Sequence, residues 1–125
     1  MHKKTLILGA TPNLSRYAYI AASMLSQYGH PFVPVGIKKG EVFGQKILSK
    51  AEAEAMLKPR DIHTITLYVN PLRQQEWYDF LLNLQPQRII FNPGTENPAL
   101  AERAQAQGIE TVEACTLVML RTGQY

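Results

Sequence analysis

Apolar and polar positions along this chain switch back and forth between a strand period and a helix period. Leu6-Ile7-Leu8 is an unbroken apolar run stopped by Gly9, the pattern of a short strand buried on both faces. Tyr17, Ile20, Ala21, Met24, Leu25 and Tyr28 then recur at helical spacing, which predicts a helix closed by Gly29. Phe32-Val33-Pro34-Val35 predicts a second strand whose ladder Pro34 limits. A loop containing Gly and Lys follows. Ser49-Lys50-Ala51-Glu52 has the capping-box form, in which the Ser hydroxyl and the Glu carboxylate each satisfy a backbone amide. It predicts a short helix through Leu57, ending before Pro59.

The second half repeats the alternation. Thr64 to Val69 is a β-branched third strand, and Asn70-Pro71 reads as a helix cap with Pro at the first helical position. The apolar face of that helix is Trp77, Phe80, Leu81 and Leu84. Arg88-Ile89-Ile90-Phe91 predicts a fourth strand. Asn97-Pro98 repeats the cap signature and opens a helix ended by Gly108. Glu110-Thr111-Val112 predicts a fifth strand, and Leu117 to Leu120 fall on a terminal helix. Five strands alternating with helices across short connections imply an α/β, Rossmann-like three-layer fold with a five-stranded parallel sheet. No repeat, low-complexity tract or linker intervenes, so residues 1–125 are expected to form a single domain.

Composition narrows the class. No segment of the 125 residues approaches the ~20 apolar residues that a membrane span needs. The start, Met1-His2-Lys3-Lys4, has the flavour of a signal peptide. The apolar run behind it is too short, and Pro12, Asn13 and Arg16 interrupt it, so it reads as a strand. The one cysteine, Cys115, excludes an internal disulfide and fits a reducing cytoplasm. A net charge of +3 suits an anionic small ligand, without the Lys/Arg stripe of a nucleic-acid binder. The expected partner is therefore a small molecule, not a nucleic acid or a membrane. A protein partner or a homo-oligomer stays open.

Open parallel sheets bind ligands beyond the carboxyl ends of their strands, near the point where strand order reverses. Four loops are expected to converge there: Gly9-Ala10-Thr11, Gly36 to Gly40, Asn70-Pro71 and Asn92-Pro93-Gly94. The first carries the clearest chemistry. Gly9 permits a sharp turn and a close backbone approach, and the amides opening the next helix favour a phosphate. Ser15 adds a hydroxyl and Arg16 a guanidinium able to make paired hydrogen bonds. The dinucleotide fingerprint G-x-G-x-x-G is missing, because Thr11 and Leu14 stand where its later glycines belong. After the second strand, Lys38 and Lys39 replace the acid that grips an NAD ribose. They suit a phosphorylated ribose better, which disfavours NAD and leaves NADP as an alternative.

Gly9-Ala10-Thr11-Pro12-Asn13-Leu14-Ser15-Arg16-Tyr17 resembles the opening G-A-S-x-x-x-S-R-Y of small single-domain CoA-binding proteins. Those proteins are in turn similar to the CoA-binding domain of succinyl-CoA synthetase alpha subunits. Val33-Pro34-Val35 resembles their V-x-P-V segment, and Phe43-Gly44-Gln45-Lys46 their I-x-G-x-x loop. Asn92-Pro93-Gly94-Thr95-Glu96-Asn97 resembles their Q-P-G-x-x-N turn, and Cys115 falls where they commonly carry a cysteine. The resemblance implies coenzyme A, or an acyl-CoA, as the cofactor. It puts Gly9, Thr11, Ser15 and Arg16 around the diphosphate, with Ala10 in the same turn. Pro34, Gly36 and Lys38 would lie by the adenosine end, and Val69, Asn70, Asn92 and Gly94 along the pantetheine arm. The chain departs from the family pattern at three points. Gly36-Ile37 replaces Asn-Pro, Thr64 to Val69 replaces an acid-containing D-x-V-x-x-F, and Asn92 replaces Gln.

Catalytic patterns are harder to find. His2, His30 and His63 do not pair with Cys115 or a carboxylate at the spacing of a triad. Glu96, Glu110 and Glu113 make no metal pattern with histidine. The Tyr-x-x-x-Lys pair of an NADP-dependent reductase or epimerase does not occur. The expectation is a coenzyme A or acyl-CoA binder acting as carrier, sensor or accessory protein, with no metal and no catalytic centre of its own. The alternatives are an NADP-dependent reductase-like protein and an interaction module with a vestigial pocket.

Overall fold

The aliphatic and β-branched runs pair side by side as the periodicity predicts. A computed structural model describes residues 2–125. Along the chain it has β1 (Thr5–Leu8), α1 (Tyr17–Gln27), β2 (Phe32–Val35), β3 (Glu41–Val42), β4 (Gln45–Lys46) and α2 (Lys50–Met56). Then come β5 (Thr64–Leu67), α3 (Pro71–Gln74), α4 (Tyr78–Asn83), β6 (Arg88–Phe91), α5 (Pro98–Ala106), β7 (Glu110–Glu113) and α6 (Thr116–Arg121). The main sheet has the order β2-β1-β5-β6-β7, and every neighbouring pair in it is parallel. Helices cover both faces, which makes this an α/β, Rossmann-like three-layer fold.

Side-chain alternation along the strands divides the core in two. Leu6, Leu8, Ile65, Leu67, Ile89 and Phe91 pack with Trp77, Phe80, Leu81, Leu100 and Ala104 on one face. Ile7 and Ile90 pack with α1 and α6 on the other, against Ala21, Leu25, Leu117 and Leu120. Pro34 sits on an edge strand, where its missing amide breaks no ladder. Its carbonyl accepts from Leu48 N, and Gly36 N donates to Leu48 O, so the segment before α2 covers that edge.

Local caps form as predicted. Ser49 Oγ accepts from Glu52 N while the Glu52 carboxylate accepts from Ser49 N, completing the box. Asn70 caps α3 and Asn97 caps α5, each with Pro in the first turn. Two details differ from the sequence expectation. The helix after Asn70 is broken by a tighter 3-10 turn at Gln75–Trp77. The Trp77 ring, at the end of this turn, meets Phe80 of α4 edge-on at 5.7 Å. The loop after β2 also contains a hairpin, β3–β4, in which Phe43 and Gly44 both have positive φ, at 48° and 79°. Such a turn matches strand twist but strains a non-glycine residue. Phe43 is held there by its ring packing 5.0 Å from that of Tyr19.

Candidate functional site

Sheet register decides where the loops meet. Leu8 is level with Val35 on one side and Leu67 on the other, and Leu67 is level with Phe91. The following loops therefore leave from one line, and strand order reverses between β1 and β5. Three adjoining recesses make a groove along this rim. The central one, about 360 Å³, lies between Gly9, Arg16 and Lys38 on one wall and Tyr68, Asn70, Arg73 and Trp77 on the other. It passes on one side into a recess of about 700 Å³ at Tyr17, Ala18, Pro93, Gly94 and Thr95. On the other side it meets a recess of about 700 Å³ lined by lysines of the β2–α2 segment.

Gly9 makes the groove possible. Its φ is 95°, and a Cβ there would sit 3.0 Å from the Tyr68 carbonyl carbon and oxygen and from Val69 Cγ1. The amides of Gly9 and Ala10 are already used, both donating to Val35 O at 2.9 and 3.2 Å. The available donors lie further along. No side chain caps α1 and no acid stands in its first turn. The amides of Tyr17 and Ala18 have no acceptor among the described residues. This helix start carries a partial charge of about +0.5, beside a guanidinium from Arg16. Asn13 shapes the approach, its Oδ1 accepting from Ser15 N at 3.0 Å and Ser15 Oγ at 2.8 Å. Thr11 Oγ1 accepts from Asn13 N at 3.2 Å, which leaves its own proton to donate.

Of the residues singled out in the sequence, Gly9, Ala10, Arg16, Gly36, Lys38, Val69 and Asn70 line the central recess. Thr11, Ser15 and Gly94 line the adjoining one. Pro34 and Asn92 stand apart from both. Pro34 borders a separate hollow with Lys4, Val33 and Leu48. Asn92 is 3% exposed and ties strand ends together. Its Nδ2 donates to Thr66 Oγ1 at 2.7 Å and Leu67 O at 2.9 Å, and its Oδ1 accepts from Thr116 N at 2.9 Å. Cys115 is half-buried at the start of α6 and borders none of the three recesses.

Several groove residues escaped the sequence reading. Tyr68 follows β5 directly, and its hydroxyl is buried with no hydrogen-bond partner among the described residues. Burial pushes that phenol up to about 12, so it stays protonated at neutral pH. Gln74 is fully buried behind the rim, donating to Val69 O at 2.9 Å and Thr95 O at 2.8 Å and accepting from Asn97 Nδ2 at 2.9 Å. It clamps the loop after β6 onto the loop after β5. No local signal marks it, whereas the Asn13-x-Ser15 spacing is an Asx-turn pattern legible in advance. Among the described residues the ion pairs are Lys46–Glu52 and Arg103–Asp79, so Arg16, Lys38 and Arg73 face the groove without an acidic partner.

Nearly the whole chain, residues 3–121, matches the family model of a CoA binding domain. The chain belongs to the CoA-binding domain family. Among solved structures this CoA-binding domain is similar to that of an uncharacterized protein. The two are 50% identical, with a TM-score of 0.90, over 100% of this chain and 99% of that one. It is also similar to a hypothetical protein from Pyrococcus horikoshii OT3, at 25% identity and TM-score 0.82, over 96% and 82% of the two chains. A structure from Thermus thermophilus at 22% identity shares the fold, with TM-score 0.82 over 98% of this chain and 90% of that one. No curated protein matches it. Among the described residues no three His, Cys, Asp or Glu side chains gather to hold a metal ion. No described helix is long and apolar enough to cross a membrane.

Proposed function

We propose that this protein binds coenzyme A or an acyl-CoA and acts as a single-domain carrier, sensor or accessory protein of the cytoplasm. The observation that carries the reading is the uneven charge of the rim groove. Its centre offers Arg16, Lys38 and the unused amides of α1, a donor set for a diphosphate. Its arm at Tyr17, Ala18, Pro93, Gly94 and Thr95 carries no charged side chain beyond the shared rim. A ligand with a diphosphate in the middle and a long neutral amide arm fits that gradation. The residues on the cofactor are Gly9, Ala10, Thr11, Ser15 and Arg16 at the phosphates, Gly36 and Lys38 towards the nucleoside, and Val69, Asn70 and Gly94 along the arm. Pro34 and Asn92 act behind them, through the edge of β2 and the end of β6. When bound, coenzyme A supplies a thiol that holds acyl groups as thioesters.

Thermal denaturation with a ligand panel tests the proposal. At ~100 times Kd, coenzyme A should add about 2.7 kcal/mol of stability, a rise of several degrees in Tm for a domain of this size. Arg16→Ala should remove most of that rise while leaving the Tm of the ligand-free protein unchanged, because Arg16 is exposed and forms no ion pair among the described residues. A shift with NADP and none with coenzyme A or acetyl-CoA would overturn the reading in favour of a reductase-like protein. Silence from every nucleotide would favour an interaction module.

A further inference from the structure

The loops after β5 and β6 leave adjacent strands, and one side chain joins them above the strand ends. Below the rim, Asn92 Nδ2 ties the end of β6 to β5 through Thr66 Oγ1 and Leu67 O. Further out, the loop after β6 is braced by bonds within itself. Thr95 N and Thr95 Oγ1 donate to Asn92 O at 2.9 and 2.8 Å, and Gly94 N donates to the Glu96 carboxylate at 2.9 Å. Gly94 stands clear at the tip, with φ 90° and nothing within 4 Å of where a Cβ would lie. Among the described residues, the bonds that cross between the two loops come from Gln74, which ends α3 and is 0% exposed. Its Nε2 donates to Val69 O at 2.9 Å and to Thr95 O at 2.8 Å. Its Oε1 accepts from Asn97 Nδ2 at 2.9 Å, and the same nitrogen donates to the Tyr78 hydroxyl at 2.8 Å. Gln74 itself lines none of the three recesses of the groove.

We infer that Gln74 is a positioning residue for the pantetheine arm, acting through the backbones of Val69 and Thr95 without touching the ligand. The inference rests on the coenzyme A reading and adds to it what holds the walls of the arm in place. A carboxamide is planar, and its two N–H bonds diverge at a fixed angle. With both of them used, one rigid group fixes where two loop carbonyls stand. Val69 lines the central recess and Thr95 the arm recess, so the clamp spans their junction. A loop already held in its bound shape loses less freedom when a ligand arrives, and walls held by buried bonds keep their spacing. Side chains of similar size do not supply this pattern. Glutamate would turn an oxygen towards two carbonyls. Methionine would leave both carbonyls and the Asn97 amide unpaired in a site closed to water. The turns at the nucleotide end, Gly9 to Arg16 and the segment after β2, receive no bond from Gln74. The clamp therefore acts on one half of the ligand.

The test is calorimetric titration with coenzyme A and with 3′-phospho-ADP, which is coenzyme A without its pantetheine arm, on the wild-type chain and on Gln74→Met. The variant should bind coenzyme A roughly tenfold more weakly, the cost of ordering a loosened loop residue on binding. Its affinity for 3′-phospho-ADP should match that of the wild type, a split that a general loss of fold stability does not produce. If Gln74→Met does not fold, Asn97→Ser carries the test. Serine keeps a cap on α5 and removes the bond to Gln74 Oε1, so the same split should appear with a smaller loss. Equal losses of both ligands, or no loss of either, would overturn the role of Gln74 and leave the coenzyme A reading standing. So would a wild type that binds the two ligands equally well. A wild type that binds neither would overturn that reading and the inference together.

Discussion

Two polar loop residues, Asn92 and Arg16, illustrate at the scale of single side chains how burial separates a structural side chain from an exposed one. Asn92 meets three backbone or side-chain partners from β5 and α6. Asn92→Ala strips those partners of their bonds in a site that water does not reach, which should cost about 1–3 kcal/mol. Urea denaturation would measure it, and a change below ~0.5 kcal/mol, the scale of an ordinary surface substitution, would contradict this account. Arg16 is exposed and belongs in that surface class for stability. Gly9 belongs with Asn92. At φ 95°, with Tyr68 and Val69 atoms 3.0 Å from any Cβ, Gly9→Ala should cost about 1–3 kcal/mol. A midpoint in urea equal to that of the wild type would show that the β1–α1 turn relaxes freely.

At the scale of elements, caps set boundaries and bonds between loops set positions. The Ser49–Glu52 box fixes the start of α2, and Ser49→Ala should cost about 1 kcal/mol in denaturation. The bond from Lys46 is the largest cause holding the Glu52 carboxylate down to about 2, with the Ser49 amide next. Its pKa is depressed on folding, so its contribution is complete above the ordinary carboxylate value of 4.5 and is lost as pH falls towards about 2. Above that range α2 should keep its cap without any pH dependence. NMR titration should find Glu52 protonating well below 4.5, and a titration at 4.5 would mean that both the Lys46 bond and the Ser49 amide bond are open in solution. The loops after β5 and β6 have no box. Gln74 and Asn97 hold them together instead, through buried amide pairs that also reach the Tyr78 hydroxyl at 2.8 Å.

At the scale of the whole molecule, the amino ends of the strands gather cations just as the carboxyl rim does. Arg88 is buried there, bonded to Thr64 Oγ1 at 3.1 Å and lying 4.5 Å from the centre of the Tyr125 ring. Burial is the largest cause lowering the pKa of His30, followed by Lys3; for His63 burial is again first, followed by Arg88. His30 Nδ1 also accepts from Lys3 N at 3.0 Å, a bond that needs the unprotonated nitrogen. For these groups the unfolded chain binds more protons than the folded one once pH falls below the ordinary value of 6.5. Stability should therefore decline as pH is lowered through that value and hold steady above it. Tm measured between pH ~7.5 and ~5 should fall, and His63→Gln should flatten the slope. A Tm that rises on acidification would reverse the sign and sink the explanation.

Much of this protein is legible from short stretches of sequence, because the forces involved act over a few residues. A cap needs an Asn or Ser three positions before the amide it accepts from, and a buried strand needs only its own apolar run. The five strands of the main sheet, α1, the capping box and the Asn-Pro helix starts all follow from such windows. So does the turn between β1 and α1, since Gly9 and Arg16 lie close together in the chain. Other features were decided by tertiary structure. The strand order, and the register that levels Leu8 with Val35 and Leu67, depend on which apolar faces pair across the chain. The β3–β4 turn packs its Phe43 ring against Tyr19, 24 residues earlier in the chain. Asn92 and Gln74 became clamps through partners 26 and 21 residues away. Lys46 and Lys50 joined the groove only because a hairpin and a helix start fold back beside the end of β2. Contacts closed over such distances leave no local period to read. They exist only once burial has brought the segments together.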